Sequence, residues 1–109
     1  LKSQELQDKT AVEDSNTVRQ RVIQAYHIQI NRQGHLNHAL SPKQLEEHAN
    51  LDVQSTQILE NAQQRLNLSA RAYHRIIRVA RSIADLSQAI QIESKHLTEA
   101  LSYRRHDLR

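Results

Sequence analysis

Only one glycine, Gly34, and one proline, Pro42, stand among the 109 residues of this chain. Tight turns draw on glycine for positive φ and on proline for a fixed φ, so a fold of many short strands joined by turns is excluded. The chain is one domain in length, and the helical patterns below predict an all-α bundle of about five helices. The same scarcity leaves no glycine-rich phosphate loop inside the chain. With no cysteine, disulfides, cysteine-ligated zinc, iron–sulfur clusters and thiol catalysis are excluded too.

The core that such a chain can bury is thin. Apolar residues make up 38% of it, with no Phe, Trp or Met, and the mean hydropathy is -0.74. Leu, Ile, Val and Ala must do most of the packing, helped by Tyr26, Tyr73 and Tyr103. A domain of this size buries only about two-thirds of its unfolded surface, so its stability is expected to lean on a neighbouring domain. No stretch approaches the ~20 apolar residues of a membrane span, and no membrane partner is expected. The lack of Met even at position 1 is what a domain cut from a longer protein would show.

Residues 1–14 are polar and without a sustained apolar period, and read as a linker or disordered arm preceding a helical domain over 15–109. A first helix is predicted from Ser15, with Val18, Val22, Ala25, Tyr26 and Gln29 on one face, Ile23 and Ile30 widening it, and Gly34 as its stop. Ser41-Pro42-Lys43-Gln44 predicts a short second helix with a capping box, ending near His48 or Ala49. Asp52 can cap a third, carrying Val53, Ile58, Leu59, Ala62 and Leu66. Ser69 is the N-cap of a fourth, whose Ala72, Tyr73, Ile76, Ile77, Ala80, Ile83 and Ala84 form an unbroken apolar stripe, with Leu68 placed to staple Tyr73. Ile90 and Ile92 alternate with polar residues before a last helix over Ser94–Tyr103, its inner face Leu97, Ala100 and Leu101.

The formal net charge is +3. Two lysines face four acids in the first fourteen residues, so the positive excess lies in the remainder. Between Glu60 and Asp85 there is no acid, yet Arg65, Arg71, Arg75, Arg78 and Arg81 all fall there. With Ser69 as N-cap, Arg71 sits at the second helical position, where a cation opposes the helix dipole. A broken local rule in a well-capped helix start is where function is expected, and free N–H groups beside a guanidinium suit a phosphate. The alternative is a solvated arginine lying over apolar neighbours. Arg75 and Arg78 follow Arg71 on one helical face, with Arg81 at its edge, as candidates for an interface or phosphate contact. Like charges at this spacing repel, which suggests an acidic partner, unless Glu46, Glu47, Glu60 or Asp85 fold across to neutralise them.

The seven histidines, His27, His35, His38, His48, His74, His96 and His106, show no metal-ligand spacing, and no metal site is expected. No nucleophile-elbow sequence orders the serines, so no catalytic residue is expected in the isolated chain. A free-standing module that binds an acidic protein or DNA through the arginine stripe remains a reading of its own.

Residues 68–86, LSARAYHRIIRVARSIADL, resemble the C-terminal helical domain of the magnesium-chelatase-like branch of AAA+ ATPases, and within it the ComM-type, YifB-like group. The likeness extends to VRQRVIQA (18–25), RQGHLNHALS (32–41), ILENAQQRLNLSARAYHR (58–75) and IESKHLTEALSYRR (92–105). It implies a small helical lid beside a nucleotide-binding core that carries the phosphate loop, the metal-binding acid and the arginine finger. By this resemblance Arg71 is the sensor 2 arginine that meets the γ-phosphate, in its own subunit or a neighbour's. It further implies ATP and Mg2+ bound through the parent protein, neighbouring subunits of a ring oligomer, DNA as a partner of the parent, and the bacterial cytoplasm. The parent is then a hexameric branch-migration helicase of natural transformation or, alternatively, a chelatase-type subunit for magnesium insertion into porphyrin.

Overall fold

The structure, a computed structural model, describes the backbone of residues 2–107 and the side chains of residues 15–103. Five helices follow in order: α1 (Lys2–Gln33), α2 (Pro42–His48), α3 (Val53–Leu66), α4 (Ala70–Leu86) and α5 (Ser94–Asp107), with a single 3-10 turn at Asn37–Ala39 between α1 and α2. Among the described residues there is no strand, only an isolated parallel bridge between Leu51 and Ile92. The all-α expectation holds. No described helix is long and apolar enough to cross a membrane.

The helix ends are set by local chemistry. In α2 the Ser41 hydroxyl accepts from Gln44 N–H while Gln44 Oε1 accepts from Ser41 N–H, a reciprocal box with Pro42 at the first position. Asp52 caps α3 and Ser69 caps α4, through Ser55 N–H and Ala72 N–H. Gly34, at φ 75°, closes α1 with its N–H on the Ile30 carbonyl. The other reversals use no glycine: Asn50, Asn67 and Gln88 adopt φ of 54°, 50° and 58° after α2, α3 and α4.

Helix α4 is central, packing against α5, α1, α2 and the 3-10 turn. Its Ile76, Ile77, Ala80 and Ala84 are buried with Leu40, Leu45, Leu59, Leu68, Ile92, Leu97 and Ala100, and Ala72, Tyr73 and Ile83 pack against that cluster. The stripe expected of α4 is thus the core of the bundle.

Several expectations are corrected. Helix α1 continues upstream of Ser15 to Lys2. The reading of 1–14 as a linker falls outside the residues whose side chains are described. On α1 only Ala25 and Gln29 of the expected face are buried, while Val18, Ile23, Tyr26 and Ile30 are about half exposed. The reason is that α1 lies against α4 along one line, so a narrow stripe suffices. Val53 is 75% exposed, because the buried line of α3 runs through Ser55, Leu59 and Ala62, more than a quarter-turn away. Helix α5 runs past Tyr103 to Asp107.

Candidate functional site

The N-terminus of α4 is built as its sequence demands. Ser69 takes extended backbone angles, and its hydroxyl accepts from Ala72 N–H at 3.1 Å. The first-turn N–H groups of Ala70 and Arg71 precede the first residue whose N–H meets an intrahelical carbonyl, Tyr73 on Ser69 at 2.9 Å. Arg71 is exposed and makes no hydrogen bond or ion pair with a described residue. An exposed guanidinium and the free N–H groups thus belong to the same first turn, a set of donors that suits an anion.

The four arginines of the stripe meet different fates. Arg75 is exposed like Arg71. Arg78 is half-buried, donates from Nη2 to the Leu40 carbonyl at 2.9 Å, and keeps a buried Nε without a described partner. Arg81 is wholly buried, which overturns its candidacy for an external contact. Its Nη1 donates to the carbonyls of Ala49 and Ile90 at 2.9 and 3.1 Å, its Nη2 to that of Ala89 at 2.9 Å, and its Nε to Asp85 at 3.2 Å. Nothing of its guanidinium is left for a partner. Burial pulls the Arg81 pKa down and Asp85 pushes it back up, with Arg32 opposing. A guanidinium stays charged through such a contest.

Of the acids that could neutralise the stripe, Asp85 pairs with Arg81 from within α4 itself, one turn on. Glu60 and Glu46 lie near Tyr73, where burial first and these two charges second hold the phenol above its ordinary pKa. The ring of Tyr73 meets His74 edge to face, centroids 5.5 Å apart. An open groove of about 540 Å3 beside Tyr73 is walled by Glu46, Glu47, His48, Ile77 and Arg32, and Arg71 is not among its walls.

A polar network at the other end of α4 was missed in the sequence. Arg32 clasps Asp85 with two bonds, 2.8 Å to Oδ1 and 3.1 Å to Oδ2, and donates to Asn37 Oδ1 at 3.0 Å. Asn37 Nδ2 donates to Asp85 and Ser82, and Gln29 Oε1 accepts from Asn37 N–H. Gln29 on an otherwise apolar face and the Arg81–Asp85 spacing of four were its only local signals. Among the described residues no three His, Cys, Asp or Glu side chains gather as metal ligands would. His96 is buried, whereas His27, His35 and His38 are exposed and His106 lies outside the described side chains.

Fold and site together define a small helical bundle in which Arg71, exposed and without a partner among the described residues, stands at the start of the central helix. Residues 12–104 match the family described as magnesium chelatase, subunit ChlI C-terminal. The competence protein ComM of Haemophilus influenzae is 45% identical over 92 residues, 84% of this chain and 18% of that protein. The uncharacterized protein YifB is 42% identical over 101 residues in Escherichia coli, covering 91% of this chain and 20% of YifB. In Salmonella typhimurium YifB is 42% identical over 95 residues, 87% and 19% respectively. This chain belongs to the magnesium chelatase C-terminal family, a domain of the chelatase-like AAA+ group. It spans about a fifth of the length of the curated relatives it matches.

Proposed function

We propose that this chain is the lid of a ComM-like AAA+ ATPase and that Arg71 is its sensor 2 arginine. The observation that carries the reading is the contrast along α4: Arg81 is buried in the core and Arg78 donates to the Leu40 carbonyl, while of the exposed Arg71 and Arg75 only Arg71 stands on the first turn with its free N–H groups. Such a group stabilises charge on a γ-phosphate during phosphoryl transfer and responds to its loss. ATP and Mg2+ would be held by the nucleotide-binding core of the same longer protein, with the lid packed beside that core and neighbouring subunits completing a ring.

The relationship to a competence protein supports DNA as the parent's substrate and branch migration in the bacterial cytoplasm as its work. The family's description favours a second reading, a chelatase-type subunit for magnesium insertion into porphyrin. In the full-length parent, Arg71→Ala should cut ATP hydrolysis at least tenfold while leaving ATP binding and the lid's thermal midpoint in place. Unchanged turnover would reject the sensor assignment. Stimulation of that ATPase by branched DNA separates the helicase reading from the chelatase one. Tight, steeply salt-dependent DNA binding by the 109-residue chain alone would favour an independent arginine-stripe module instead.

A further inference from the structure

Helix α5 starts with a cap made by an imidazole. The Glu93 N–H donates to His96 Nδ1 at 3.0 Å, and the N–H groups of His96 and Leu97 donate back to the Glu93 carbonyl at 3.0 and 3.2 Å. The first of these bonds repeats half of the box at α2, where Gln44 Oε1 accepts from Ser41 N–H, with a ring nitrogen replacing the amide oxygen. An imidazole nitrogen accepts only while it carries no proton, so the bond assigns the hydrogen to Nε2. That Nε2 is buried without a described partner, and His96 is 2% exposed.

The charged groups that face the ring come from three elements. Glu93, Lys95 and Glu99 belong to α5 and its cap, Arg81 comes from α4, and Asp52 from the cap of α3. Burial is the main force holding the ring neutral; Lys95 and Arg81 act in the same sense and Glu93 and Glu99 against it. A proton on Nδ1 would set donor against donor at Glu93 and place a cation at the positive end of α5.

The turn that this cap closes adjoins a seam. Ile92 N–H donates to the Asn50 carbonyl, and the Ile92 carbonyl accepts from Asp52 N–H and the Ser55 hydroxyl. Ala89 and Ile90 on the same segment hold Arg81 through their carbonyls.

We propose that His96 is an acid-operated latch: protonation of Nδ1 breaks the α5 cap and opens the seam between residues 50–55 and 89–93 while α4 stays folded. The 109-residue chain and its His96→Gln variant, which can keep the cap as Gln44 does, are compared by amide hydrogen exchange and imidazole NMR between pH 7.5 and 4.5. Exchange is normalised to intrinsic rates. In the wild type, protection of the Glu93, Ile92 and Asp52 amides should fall by up to about tenfold per pH unit once the pH drops below the ionisation of an exposed imidazole, as opening coupled to uptake of one proton requires. Protection of Ala80 should not follow, and His96→Gln should abolish the fall. The same fall in both proteins overturns the latch. Should the variant not fold, the wild type decides alone, because a protonated His96 ring with Glu93 N–H still protected overturns it equally.

Discussion

Arg81 and Asp85 stand one turn apart on α4 and form an ion pair, Nη2 to Oδ1 at 3.0 Å, with both side chains at 0% exposure. Arg32 adds a second cation on the same carboxylate at 2.8 Å, its side chain 23% exposed. Burying charge is costly, and what makes it tolerable is that every donor and acceptor is taken. Through Asp85 the pair ties α4 to α1, and through Arg81 it ties α4 to the loops carrying Ala49, Ala89 and Ile90.

Removing the shared anion should therefore be the most damaging polar change in the chain. Asp85→Asn keeps the shape but leaves two guanidinium groups facing an amide. We expect a loss of about 3–5 kcal/mol, the range for breaking a buried pair from one side. Arg32→Gln, at the more exposed end, should lose about 1 kcal/mol. Urea titration of both variants checks the order, and equal losses would show that the carboxylate is not the hub.

Arg71→Glu should act in the opposite direction. At the second position of α4 an acid suits the helix dipole where a cation opposes it, so stability should rise by about 0.3–1 kcal/mol. A thermal midpoint below that of the wild type would mean that Arg71 has a structural role. The pairing of a gain in stability with a loss of turnover in the parent is the signature of a residue kept for function.

The helical class, the three side-chain caps and the core stripe of α4 were legible in the sequence because each depends on contacts within about one helical turn. The interior fate of Arg81 was not. Its spacing from Arg78 places it on a shared arginine face, and only the tertiary approach of the Ala49, Ala89 and Ile90 carbonyls turns it inward. Asp85 could be named among the acids able to neutralise the stripe, whereas Arg32 and Asn37, distant in sequence by 53 and 48 residues, could not. The exposure of Tyr26 and Ile30 was equally hidden, since an apolar stripe does not say how many neighbours a helix has.

Asp52 should make part of the stability depend on acid. Hydrogen bonding from Ser55 holds its carboxyl below the ordinary 3.8. A carboxylate whose folded pKa is depressed contributes stability that is present above 3.8 and lost as pH falls through the folded value. Asp52→Ala should cost about 1 kcal/mol at pH 7. The gap between the two proteins, followed by urea midpoints, should narrow as the pH is taken below 3.8. A gap independent of pH would assign the cap to something other than the ionised carboxylate.

Glycine scarcity leaves one reversal strained. Gln88 follows α4 at φ 58°, a conformation that Gly34 adopts without penalty and that Asn50 and Asn67 tolerate better than a longer side chain does. The Ala89 N–H on the Ala84 carbonyl at 2.8 Å closes the helix whatever side chain stands at 88, so the backbone geometry does not need glutamine. What would be lost is one exposed bond from Gln88 Nε2 to Gln24 Oε1. Relief of the left-handed strain should outweigh both that bond and the extra chain entropy of glycine, so Gln88→Gly should stabilise the chain by about 0.5–1 kcal/mol. Asn67→Gly, by the same reasoning, should change it by only a few tenths. Thermal denaturation of the two variants side by side tests the difference, and a destabilised Gln88→Gly would show that the Gln24 contact carries more than an exposed side-chain bond ordinarily does.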